Sequence, residues 1–202
     1  MSDSAWRQAN ARTRLARAAE KLAAAAGSRL PPLILFTDDD RLPDPLAAAK
    51  ALPRGGLIIV RARDATRRRE LALALREVAR AQGLFLSIAG DAALARAVGA
   101  DGVHLPEAQI GEAAGLGRRF LVTASAHSLA ALRRAAEVDA MVLSAVFPTA
   151  SHSGRAALGV CRANLMARLA RGPVYALGGI SAENAGRLHG FCGIAAIGAL
   201  KG

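Results

Sequence analysis

Short apolar runs recur along this chain, and each stops at a cluster of small or polar residues followed by a helix-like segment. The clearest are Asp101-Gly102-Val103-His104-Leu105, Ser125-Ala126-His127-Ser128-Leu129, Phe147-Pro148-Thr149 and Ala176-Leu177-Gly178-Gly179-Ile180. Parallel strands joined by crossover helices give this rhythm. In such folds the C-terminal ends of the strands carry the chemistry, so the pattern marks a site as well as an architecture.

The strands are predicted over Leu33–Phe36, Leu57–Val60, Leu84–Ile88, Gly102–Leu105, Phe120–Thr123, Ala140–Ser144, Pro173–Leu177 and Gly193–Ile197. Helices are predicted over Ser4–Ala26, about Pro45–Leu52, Arg67–Gln82, Asp91–Val98, Ser128–Val138 and Leu158–Arg171, with a short one capped by Ser181. Eight strands alternating with helices in 202 residues predict an α/β protein, a single (β/α)8 TIM barrel. An open doubly wound sheet is the alternative, but no Gly-rich fingerprint follows the first strand. Gly202 comes just after the eighth strand, so the N-terminal helix is expected to stand in for a C-terminal one. Its residues Leu15, Ala18, Ala19, Leu22 and Ala26 share a face. Residues 1–30 are thus expected to be an Arg/Ala-rich helix packing on a barrel formed by residues 31–202.

A net charge of +11 would suit nucleic acid or the steering of phosphorylated small molecules. The basic residues are scattered over helical segments, Arg67-Arg68-Arg69 being the only run, and aromatic residues make up 3%. Without stacking platforms or a groove-reading motif, nucleic acid is not expected as a partner. No apolar run reaches the roughly 20 residues of a membrane helix, so no membrane partner is expected. Arg12, Arg14 and Arg17 interrupt what would be a signal-peptide core, which predicts a cytoplasmic protein. Cys161 and Cys192 lack metal-ligand spacing and read as buried thiols.

Gly178-Gly179 follows strand seven and Gly198-Ala199 follows strand eight. Loops at these positions of a barrel often bind phosphate, since backbone without side chains lets N–H groups approach the oxygens; the same glycines would also serve simply to turn the chain. His127, just past strand five, is a proton-exchanging candidate beside Ser125 and Ser128, or a residue that orders the loop. His104 reads as a hydrogen-bonded barrel histidine. Arg61 and Arg63 alternate at the end of strand two, which would place both at the barrel mouth to meet an anionic ligand.

From Leu33 to Leu200 the chain resembles the superfamily of thiamine-phosphate synthases and TenI thiazole tautomerases. The most specific segments are Ala100–Leu105, Ser125–Ser128, Val146–Thr149 and Leu177–Ile180. The resemblance implies that the two small-residue loops hold the phosphate of a thiazole phosphate. It further implies that His127 is the acid/base of a TenI-type tautomerisation and that Ser125 contacts diphosphate in a synthase. Arg61 stands where synthases carry Gln, Arg63 matches their Arg, and Ala65 replaces their Lys. Thr149, Ser151 and His152 occupy the next diphosphate-binding segment, with His152 at the position of its lysine.

The two magnesium carboxylates of the synthases fall at Gly90 and Gln109, leaving Asp91 and Glu107 as the nearest metal candidates. Magnesium on a diphosphate wants anionic oxygen ligands. Three readings follow: a metal-independent TenI-like enzyme, a Mg2+-dependent synthase joining a pyrimidine diphosphate to thiazole phosphate, and a non-catalytic phosphate-binding paralogue. The first leads, with a small phosphorylated substrate as partner and Mg2+ required only in the second.

Overall fold

The computed structural model describes residues 3–134, 138–149 and 156–200. Eight parallel strands close into a barrel in sequence order. They are β1 Leu33–Phe36, β2 Leu57–Val60, β3 Phe85–Ala89, β4 Gly102–Leu105, β5 Leu121–Ala126, β6 Ala140–Leu143, β7 Val174–Leu177 and β8 Gly193–Ala196. Closure is made by β1 and β8, with Leu33, Ile34 and Leu35 opposite Ile194, Ala195 and Ala196. The strands read as continuous apolar runs because one face fills the barrel while the other meets the helices. Every residue of β1, β2, β4, β6 and β8 is buried.

The α-helices are α1 Asp3–Ala25, α2 Pro45–Lys50, α3 Ala65–Gln82, α4 Ala92–Ala97, α5 Leu129–Arg134 and α6 Val160–Arg168. Asp44, Asp64 and Asp91 begin α2, α3 and α4 by accepting the backbone N–H of Ala47, Arg67 and Leu94, each at 2.8 Å. Ser128 does the same for Ala131 at 3.1 Å ahead of α5. These caps fix where each strand-to-helix loop ends, and so hold the loops at the mouth of the barrel.

Helix α1 packs against β1 and β8, across the closing seam. It buries Leu15, Ala19, Leu22 and Ala23 in the common core, and Arg14 donates to the Ala182 carbonyl at 3.4 Å. Ala26, expected on that face, is exposed because the helix stops at Ala25. No helix among the described residues is long and apolar enough to cross a membrane.

Three local expectations need correction. The link from β4 to β5, where no helix is predicted, is a 3-10 stretch, Glu107–Arg119. Its three glycines, Gly111, Gly115 and Gly117, disfavour an α-helix there, at roughly 1 kcal/mol each. Strand β5 continues to Ala126, so Ser125 is a strand residue. Of the expected buried thiols, only Cys192 is buried, its pKa pushed up to about 12 by desolvation; Cys161 is exposed on the outer side of α6. The helix expected through Val138 is described as α5 to Arg134, and residues 135–137 lie outside the described ones.

Candidate active site

Two cavities of about 320 Å3 each open at the C-terminal ends of the strands. The central one is lined by Arg41, Arg61, His104, Ser125, His127 and Gly178, among others. The second, over the ends of β7 and β8, is lined by Arg41, Thr149, Gly178, Gly179, Gly198 and Ala199. All four small residues expected at a phosphate loop therefore share one cradle, with Thr149 on its rim. A wider groove of about 670 Å3, lined by Glu107, His127, Ser128 and Arg134, adjoins the central cavity at His127.

The cradle needs its glycines. Gly178 and Gly179 have φ of 99° and 64°, in the left-handed region. A Cβ on Gly178 would lie 2.8 Å from Ala145 Cβ. A Cβ on Gly179 would lie inside contact distance of the Pro148 carbonyl and 2.9 Å from Phe147 Cβ. The loop after β7 is thus pressed on the segment after β6, leaving bare backbone facing the cavity.

His127 is the first residue past β5. Its Nδ1 lies 2.8 Å from Glu107 Oε2, and the same oxygen accepts its backbone N–H at 2.7 Å. Two contacts on one carboxylate fix the ring and direct proton exchange to Nε2. On β4, His104 bridges Thr123 Oγ1 through Nδ1 and Ser125 Oγ through Nε2, both at 2.9 Å, with its ring edge-on to Phe36. Burial lowers its pKa to about 3, helped by the charge of Arg61. His104 is a neutral strut that sets the Ser125 hydroxyl at the cavity wall.

Arg61 and Arg63 line one pocket beside Asp38 and Asp39, but of the two only Arg61 also lines the central cavity. Arg61 lines the central cavity and pairs with Asp38 at 2.5 Å. Arg63 lies outside it, 80% exposed and paired with Asp40. Strand β2 ends at Val60, so side-chain alternation no longer governs residues 61–63. Missed by the sequence reading was Arg41, whose Nε and Nη2 donate to Asp38 Oδ1 and Oδ2 at 3.1 and 2.6 Å. Its signal was available: β1 and β2 are neighbours, and the acidic run Asp38-Asp39-Asp40 ends one as Arg61 and Arg63 follow the other. The pairing with Arg41 and Arg61 takes the Asp38 carboxyl down to about 2, against the opposing effect of its burial.

Both metal candidates are engaged within the protein through one carboxylate oxygen each. Asp91 caps α4, and Glu107 is committed to His127. Asp38, Asp39 and Asp40 each pair with arginine. Among the described residues no three His, Cys, Asp or Glu side chains group where they could hold a metal ion. The donor set does not fit a magnesium-bound diphosphate, which requires several anionic oxygens on one ion. Ser151 and His152 lie outside the described residues.

A family model described as thiamine monophosphate synthase matches residues 33–200, from the start of β1 through the cradle after β8. The chain belongs to that family. It is 34% identical to a thiamine-phosphate synthase of Thioalkalivibrio sulfidiphilus over 171 residues, 79% of this chain and 81% of the relative. Against that of Chlorobium luteolum the identity is 35%, covering 84% of this chain and 85% of the relative. Among solved structures, the thiamine phosphate pyrophosphorylase of Pyrococcus furiosus superposes with a TM-score of 0.69 at 28% identity, over 82% of this chain and 84% of that one.

Proposed function

We propose that this family member binds a thiazole phosphate and moves a proton on it with His127, without a metal. The observation that carries the reading is the His127–Glu107 pair at the edge of a cavity that continues into the glycine cradle. The phosphate would sit against backbone at Gly178, Gly179, Gly198 and Ala199, and the ring would then occupy the central cavity that His127 lines. His127 takes a proton from one carbon of the thiazole and returns one to another, so the reaction is an isomerisation with no group lost. Glu107 stabilises the imidazolium that forms between the two steps. Ser125, set by His104, is a neutral hydrogen-bond partner for the ring. Positioned acid–base groups of this kind contribute about 10²–10⁴-fold in rate.

The names of the relatives favour a second reading, a magnesium-dependent synthase that uses a pyrimidine diphosphate as well. The carboxylates at the mouth speak against it, and Arg63, the expected diphosphate ligand, is paired with Asp40 away from the cavity. One experiment separates the two. The protein is incubated in D2O with a thiazole phosphate and followed by proton NMR, then assayed with pyrimidine diphosphate and Mg2+ for thiamine phosphate. Ring deuteration that falls by 10²-fold or more in His127→Ala, with ligand affinity kept, supports the proton-transfer reading. Magnesium-dependent thiamine phosphate formation at a steady rate replaces it with the synthase.

A further inference from the structure

The glycine cradle has backbone and small side chains but, of its own four residues, no charge, whereas a phosphate monoester brings up to two negative charges. The side chain that reaches it is Arg41, the one residue besides Gly178 and Ile197 that lines both the cradle and the central cavity. Resting on the reading of the cradle as a phosphate subsite, we propose that Arg41 is the cationic ligand of the substrate phosphate and that Asp38 is its positioning residue.

The geometry is suited to that task. Asp38 accepts from Nε and Nη2 of Arg41 along one edge of the guanidinium, and from the Arg41 backbone N–H at 3.0 Å. A planar fork held along one edge by a carboxylate is pre-ordered, so less side-chain entropy is lost when an anion arrives. Asp38 also takes Arg61 at 2.5 Å. One carboxylate thus serves two guanidiniums, both of which line the central cavity. The cluster is held in turn by the barrel: Thr37 Oγ1 donates to the Arg61 carbonyl at 2.8 Å and accepts the Arg61 backbone N–H at 2.7 Å, locking the ends of β1 and β2 together. Arg63, by contrast, sits outside both cavities and pairs with Asp40.

The test is calorimetric titration of the full chain with two probes, inorganic phosphate and a thiazole phosphate, alongside the unphosphorylated thiazole alcohol. Arg41→Gln should weaken both phosphate probes by about 10- to 100-fold, the value of a charge-assisted hydrogen bond. Affinity for the alcohol should change less than about threefold, a loss a merely structural role for Arg41 would not spare. Arg41→Lys keeps the charge without the fork and should fall between, and it serves if Arg41→Gln fails to fold. Arg63→Gln should change none of these affinities. Phosphate affinity unchanged in both Arg41 variants overturns the proposal, as does an equal loss for phosphate and alcohol or the absence of phosphate binding by the wild-type protein. These titrations do not depend on turnover. Loss of proton transfer with phosphate binding intact would defeat the proposed function and leave the role of Arg41 standing.

Discussion

Replacing Gly179 by alanine tests the close approach that shapes the cradle, and Gly27→Ala supplies its control. Both glycines have positive φ, 64° and 60°, so both substitutions incur left-handed strain of about 1–2 kcal/mol. A Cβ at Gly27 meets nothing within 4 Å, whereas at Gly179 it runs into the Pro148 carbonyl and lies 2.9 Å from Phe147 Cβ and the Phe147 carbonyl. The neighbours are backbone and a packed ring stem, so they cannot swing aside as a flexible side chain would. Overpacking of this kind costs about 1–3 kcal/mol beyond the strain. Gly179→Ala should therefore be less stable than Gly27→Ala by about 1–3 kcal/mol, or about 2–12 °C in Tm for a chain of this length. Urea unfolding followed by far-UV circular dichroism, with m-values compared, measures the difference. Equal stabilities within about 0.5 kcal/mol would refute the reasoning, because strain alone would then account for both.

Stability should fall on acidification in two overlapping windows. His104 stays neutral in the fold until about pH 3, while an unfolded histidine protonates below about 6.5, so stability declines by up to about 1.4 kcal/mol per pH unit between those values; urea titrations at stepped pH should show this slope, and His104→Gln should flatten it. Asp38 adds a loss only below the ordinary carboxylate value of 3.8 and toward its own of about 2, since protonation breaks its arginine pairs. Tyr175→Phe removes the buried hydroxyl that donates to the Pro31 carbonyl at 2.7 Å and should cost about 1–3 kcal/mol in urea unfolding. Glu107→Gln keeps the shape of the His127 contact but not its charge, and should lower kcat in the deuterium-exchange assay by about 10-fold or more at similar KM. Deleting residues 1–28 should uncover the wall at β1 and β8 and give aggregates by light scattering; a folded, monodisperse product would show that α1 is dispensable there.

The barrel was legible because burial on both faces writes each parallel strand as an apolar run, and Asp or Ser caps mark where most helices begin. Leu33–Phe36 and Leu57–Val60 are visible to the residue for that reason. The cradle was legible too, since its glycines follow strands seven and eight in sequence. Contacts between loops were not. Glu107 was visible only as a stray carboxylate near a lost metal position. Its partner is decided by β4 and β5 lying side by side, which brings the second residue past Leu105 onto the first past Ala126. Arg63 shares a pocket with Arg61 but does not follow it into the central cavity, because strand alternation ends at Val60.

The charge balance of the mouth ties these observations together. By resemblance, a synthase mouth offers two carboxylates to magnesium, with Arg and Lys to the diphosphate. Here the two carboxylate positions hold Gly90 and Gln109, and a lysine position holds Ala65. The acidic residues stand instead after β1, where Asp38, Asp39 and Asp40 pair with Arg41 and Arg61, Arg67, and Arg63. An arginine with a carboxylate to itself is a poor ligand for a diphosphate, which must first displace that carboxylate. Among the described residues, Arg41 and Arg61 share one carboxylate between them, and both line the cavity that leads to the glycine cradle. The cavity that would hold a monophosphate is therefore lined by the two arginines that share a carboxylate, whereas Arg63 and Arg67 each face one of their own.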